Sequence, residues 1–144
     1  RIVLGRRGFS DPAAHQYVEG KGFLAGADPN QPLPNWLTEA DIAYFAAVYR
    51  DSGFRGGLNW YRNIDRNWEL TAPWQGAQIH QPSLFIAGSK DGVITGLIGA
   101  KLVNEMERVL PNLRQKLILD GAGHWIQQER PDEVNAALIG FLRG

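Results

Sequence analysis

Two residues of reactive type stand out in the second half of the chain. Asp91 lies in Gly88-Ser89-Lys90-Asp91-Gly92, and His124 lies in Gly121-Ala122-Gly123-His124-Trp125. Each follows a short apolar run that reads as a buried strand. The first run is Ser83-Leu84-Phe85-Ile86-Ala87, preceded by Pro82 and ended by Gly88. The second runs from Leu113 to Leu119, with Leu117-Ile118-Leu119 as its core. In open α/β sheets, ligands sit beyond the carboxyl ends of the strands. If the two runs are neighbouring parallel strands, both loops meet at one edge, although Asp91 and His124 are 33 residues apart. A carboxylate that accepts a hydrogen bond from an imidazole fixes its tautomer and stabilises its protonated form. The His can then act as a general base near neutral pH.

Plainer readings of both residues stay open. An Asp before Gly after a strand also serves as a turn or helix-cap residue. A lone His in a Gly-rich loop also serves a structural role. The two other His residues read as surface positions: His15 in the irregular first stretch and His80 just before the first strand. Three scattered His without a tight spacing do not make a metal site. The chain has no Cys, which excludes a disulfide scaffold and any Cys-ligated zinc or iron–sulfur centre. Its Gly residues form neither a P-loop nor a dinucleotide fingerprint. No cofactor and no metal are expected.

Composition narrows the class further. At 144 residues the chain is one domain at most. Fifteen Lys and Arg balance fifteen Asp and Glu, and zero net charge argues against nucleic-acid or polybasic membrane-surface binding. Apolar residues at 44% and charged residues at 21% are ordinary for a globular chain. No apolar run approaches the roughly 20 residues of a membrane span, and the apolar part of Arg1-Ile2-Val3-Leu4-Gly5 is too short for a signal peptide. A cytoplasmic setting is the expectation. The missing initiator Met suggests a processed chain or a piece of something larger.

The elements that must position Asp91 and His124 fall into three stretches. Residues 1–35, rich in Gly and Pro, show no sustained period. Asp28-Pro29-Asn30-Gln31-Pro32-Leu33-Pro34 reads as an extended linker, so a surface strap or loop is expected. Residues 36–75 read as a helical lid. Thr38-Glu39-Ala40-Asp41 fits a capping pattern. Ile42, Phe45 and Tyr49 then share one helical face, and Gly53 marks a stop. A loop over 54–57 leads to a second helix near 58–68, on which Tyr61, Ile64 and Trp68 share a face and Trp60 lies one turn from Ile64. Four of the five Trp fall between positions 36 and 74, which suggests an aromatic underside.

Residues 76–144 read as strand, helix (97–109, ended by Pro111), strand, helix. Pro131 opens the last helix, with Asp132 and Glu133 in its first turn and Leu138, Phe141 and Leu142 on its buried side. This is a βαβα unit with a parallel pair. A two-stranded parallel sheet leaves two open edges. The expected fold class is therefore α/β, as one end of a larger doubly wound sheet.

These motifs resemble a known family. Gly53-Phe54-Arg55-Gly56-Gly57-Leu58-Asn59-Trp60-Tyr61-Arg62-Asn63, followed by Trp68-Glu69-Leu70-Thr71-Ala72-Pro73-Trp74, closely resembles the lid segment of soluble epoxide hydrolases. So does Leu33-Pro34-Asn35-Trp36-Leu37-Thr38-Glu39-Ala40-Asp41. Ala87 to Asp91 looks like the family's acid loop, and Gly121 to Glu129 looks like its histidine loop. The order acid then His is that of the α/β-hydrolase triad. The resemblance spans about residues 33–144 and implies the C-terminal half of an α/β-hydrolase with part of a helical cap. It implies hydrolysis of epoxides to vicinal diols through an ester on an aspartate nucleophile. In that reading Asp91 is the acid, His124 the base and Tyr61 a cap tyrosine that holds the epoxide oxygen, while Trp60 and Trp125 bind substrate.

The departures define what is missing. No Gly-x-Asp-x-Gly or Gly-x-Ser-x-Gly elbow occurs, nor a His-Gly-x-Pro segment. Tyr17, Tyr44 and Tyr49 do not stand in the motif of a first cap tyrosine. The expected partner is thus an N-terminal half carrying the nucleophile, in the same protein or as a separate chain. Alone, this chain is expected to be inactive, because covalent catalysis without its nucleophile has no first step. A haloalkane dehalogenase or esterase would share Asp91 and His124 but has no use for the Leu-Asn-Trp-Tyr-Arg-Asn lid. A non-catalytic binding or assembly module is the alternative from another class.

Overall fold

A computed structural model describes residues 32–144. The strap expected over residues 1–35 falls mostly outside the described residues, as do His15 and Tyr17.

Helix α1 (Glu39–Ser52) starts where the capping pattern predicts. The Thr38 hydroxyl accepts from the Asp41 N–H at 3.1 Å, and the Asp41 carboxylate accepts from the Thr38 N–H at 2.8 Å. The Thr38 hydroxyl also donates to that carboxylate at 2.6 Å. The bonds from the Thr38 side chain and backbone together hold the Asp41 carboxyl below the usual carboxylate range. The helix ends at Gly53, whose φ of +65° suits a residue without a Cβ. Tyr49 in the last turn stacks on Phe54, ring centroids 4.6 Å apart.

The next segment differs from expectation in two ways. Residues 55–57 are not a loop but the first turn of helix α2 (Arg55–Arg62). That helix then breaks at Asn63, and α3 (Ile64–Thr71) follows, ending in a single 3₁₀ turn over Ala72–Trp74. The break has a local cause. The Asn63 side-chain amide donates to the Asn59 carbonyl at 2.8 Å, where its own N–H also bonds at 3.2 Å. Tyr61 therefore belongs to a different helix from Ile64 and Trp68.

The core begins at β1 (Ser83–Gly88), which pairs in parallel with β2 (Leu113–Leu119) from Ser83↔Leu113 to Gly88↔Leu119. Between the strands lie a single turn α4 (Gly92–Thr95), helix α5 (Leu97–Asn104) and a 3₁₀ turn over Met106–Arg108. The one long helix expected over 97–109 is thus shorter at its end. After β2 come the turn α6 (Ile126–Glu129) and α7 (Pro131–Arg143). The hydrophobic centre is small: Leu119, Ala122, Ile126 and Val134 are buried, with Ile86 and Leu117 packed against them.

Helix α7 buries a different stripe from the one expected. Val134 is buried and Phe141 half-buried, whereas Leu138 and Leu142 are exposed. Ala137 is half-buried as well, so Val134, Ala137 and Phe141 form the stripe that this chain covers by itself. The Arg114 guanidinium lies 5.8 Å above the Phe141 ring. Among the described residues no helix is long and apolar enough to cross a membrane.

Candidate active site

Both strands run the same way and end together, so the loops after them share an edge. Hydrogen bonds lock the loops to each other. The Ser89 N–H donates to the Leu119 carbonyl at 2.9 Å, and the Lys90 N–H to the Ala122 carbonyl at 2.8 Å. The Ser89 hydroxyl accepts from the Gly121 N–H at 2.8 Å and donates to the Asp120 carboxylate at 3.1 Å. These contacts fix the position of the His124 loop relative to the Asp91 loop.

Asp91 is buried, 6% exposed, and its two carboxylate oxygens have separate tasks. Oδ1 accepts from the Val93 N–H at 2.8 Å and caps α4. Oδ2 lies 3.0 Å from His124 Nδ1. One oxygen thus caps α4 and the other meets the imidazole. A carboxylate only accepts, so the contact is made by the tautomer with hydrogen on Nδ1. Nε2 is then the basic nitrogen. A third of the His124 side chain is exposed, and the Trp125 ring meets it edge-on at 5.2 Å. The arrangement is a partly exposed imidazole hydrogen-bonded to a buried carboxylate.

Of the five residues expected at the site, Asp91, His124 and Trp125 come together. Trp60 and Tyr61 stand on α2, 80% and 72% exposed, with no hydrogen bond or ring contact to that cluster among the described residues. Two groups outside the expected set support the loops. One is Ser89, described above. The other is Glu129, whose carboxylate accepts from the Gly123 N–H at 2.6 Å and the Trp125 N–H at 3.0 Å. The signal for Glu129 was its place at the end of the histidine-loop motif. Next to it, Arg130 bonds the Asp120 carbonyl at 3.0 Å and pairs with Glu133. The hydrogen bond to Glu133 raises the guanidinium above its ordinary range. Among the described residues no group of three or more His, Asp or Glu is placed to hold a metal ion.

Comparison with known proteins decides the family. The chain is 44% identical to epoxide hydrolase A of Mycobacterium tuberculosis over 100% of its own length and 44% of that protein. The crystal structure of epoxide hydrolase A from Mycobacterium thermoresistibile superposes with a TM-score of 0.84 at 47% identity, over 100% of this chain and 44% of that one. This chain belongs to the epoxide hydrolases of the α/β-hydrolase family. The epoxide hydrolase I structure of potato (Solanum tuberosum) agrees, with a TM-score of 0.79 at 34% identity over 94% of this chain and 43% of that chain. No family model matches the chain. It spans less than half the length of the epoxide hydrolases it matches, and its two parallel strands correspond to part of their sheet.

Proposed function

We propose that this chain supplies the acid and base of an epoxide hydrolase that opens epoxides to vicinal diols. The observation that carries the reading is the 3.0 Å contact between Asp91 Oδ2 and His124 Nδ1, with the other Asp91 oxygen held by the Val93 N–H. A buried carboxylate in that position keeps Nε2 basic and stabilises the imidazolium. The nucleophile is an aspartate carried outside this sequence, by the remainder of the hydrolase.

The reaction proceeds in two steps. In the first, the aspartate carboxylate attacks an epoxide carbon, and the carbon–oxygen bond breaks. The oxygen takes the electron pair, and Tyr61 donates a hydrogen bond and then the proton. In the second, His124 Nε2 takes a proton from water as the resulting hydroxide adds to the ester carbonyl. The tetrahedral intermediate collapses, and the His124 imidazolium gives its proton to the departing diol oxygen. The proton of the carboxylic acid so formed returns to the Tyr61 phenolate, which restores the aspartate and the tyrosine. Trp125 beside His124 and Trp60 on the lid contribute apolar walls for the substrate.

The test is His124→Ala in the full-length hydrolase. Alkylation does not use the base, whereas ester hydrolysis loses roughly 10²–10⁴-fold with it. Mass spectrometry is expected to find the protein carrying one substrate mass. Diol formation at the normal rate without that adduct would remove His124 from the base role.

A further inference from the structure

We infer that Glu129 is a positioning residue for His124, an assignment that rests on the functional reading above. Its carboxylate straddles the histidine. One oxygen takes the N–H of Gly123 and the other takes the N–H of Trp125, the residues on either side of His124. Both of these bonds go to backbone N–H groups, so Glu129 holds the backbone from which the ring hangs.

The grip is two-sided. Gly123 is buried, and a buried N–H without a partner carries a full desolvation penalty. Glu129 supplies that partner. On the opposite side, the Ala122 and Gly123 carbonyls lie against Gly88 on β1. Glu129 itself is anchored because α6 begins at Ile126, which is buried in the core. Asp91 sets the tautomer and the direction of the ring. Glu129 sets where the His124 backbone sits, and so how far Nε2 stands from the ester carbonyl. A catalytic group must be held within about 0.5 Å of its productive position.

Both oxygens of the carboxylate are engaged at this position. In the observed geometry each N–H has its own carboxylate oxygen. The amide of a Gln offers one oxygen and turns an NH₂ group toward the other donor. Glu129→Gln therefore breaks one clamp at nearly constant volume.

The two-step reaction separates a positioning role from a general structural one. The experiment is single-turnover kinetics of the full-length hydrolase with styrene oxide, following alkylation and ester hydrolysis separately. Glu129→Gln is expected to slow ester hydrolysis about 10–100-fold, since a misplacement near 1 Å costs about 10²-fold. Alkylation is expected to stay unchanged, so the ester accumulates. Glu129→Asp keeps both acceptor oxygens on a stem one methylene shorter. It is expected to slow the same step by a smaller factor, and it is measured in the same way if the Gln variant does not fold. Unchanged hydrolysis, or equal slowing of both steps, overturns the assignment. Failure of both variants to fold also overturns it, because Glu129 then serves the fold alone. His124→Ala is run alongside. If it traps the ester while Glu129→Gln hydrolyses normally, only the Glu129 assignment falls. If it does not trap the ester, the functional reading falls and takes this assignment with it.

Discussion

Gly88, the last residue of β1, lies against Ala122 in the histidine loop so closely that a Cβ at Gly88 would stand 2.3 Å from the Ala122 carbonyl oxygen. The Gly123 carbonyl oxygen is equally near. Both atoms belong to backbone, which cannot swing aside as a flexible side chain can. The bare glycine is what allows the Lys90 N–H to reach the Ala122 carbonyl and the two loops to meet.

Gly88→Ala is therefore expected to destabilise the full-length protein by about 1–3 kcal/mol or more. It is also expected to part Asp91 from His124, so turnover falls together with stability. A denaturation midpoint equal to that of the wild type would show that the loop yields without cost.

The divided role of Asp91 permits two distinguishable substitutions. Asp91→Asn keeps an oxygen for the Val93 N–H, so the α4 cap and the fold should survive. It replaces the carboxylate that stabilises the imidazolium, and ester hydrolysis is expected to slow by roughly 10²–10⁴-fold. Asp91→Ala loses both tasks and should also cost about 1 kcal/mol of stability for the cap. Thermal melts run with single-turnover assays separate the two. Normal turnover by the Asn variant would leave Asp91 as a cap residue only.

Tyr61→Phe is expected to act on the earlier step. Phe keeps the ring on α2 and removes only the hydroxyl that in the proposed reaction meets the growing alkoxide. Loss of one preorganised donor is worth on the order of 10²–10³-fold in alkylation. No ester should accumulate, opposite to the His124→Ala signature. An alkylation rate like that of the wild type would assign Tyr61 to lid packing.

The α1 cap carries a pH dependence whose sign follows from Asp41. Its folded pKa is lowered from 3.8 by the Thr38 hydroxyl and then the Thr38 backbone. The cap's contribution is therefore complete above 3.8 and disappears as the pH falls through the lower folded value. Acid titration of the full-length protein by amide exchange should show the first turn of α1 loosening in that range. In Asp41→Asn the same amides should exchange independently of this titration, apart from the intrinsic pH effect on exchange. Identical acid profiles in the two proteins would show that the cap does not depend on the Asp41 charge.

Much of the chemistry was legible in one dimension because it rests on short-range rules. Thr38 and Asp41 are three residues apart, so their reciprocal bonds depend on local backbone alone. The two apolar runs ended by Gly88 and by Asp120-Gly121 specify strands by composition. The matched positions of Asp91 and His124 after them follow from the rule that parallel strands end at one edge. The lid and loop motifs carry the family resemblance in the sequence itself.

Other features needed three dimensions. The helix break at Asn63 is a competition between a side chain and the backbone for one carbonyl, which apolar spacing does not register. The contacts of Gly88 with Ala122, Ser89 with Gly121 and Asp91 with His124 join atoms whose separation is set by the βαβ crossover, whereas the Asp91–Val93 half is local. Residue types and spacing thus determined which groups could react, and strand pairing decided which of them touch.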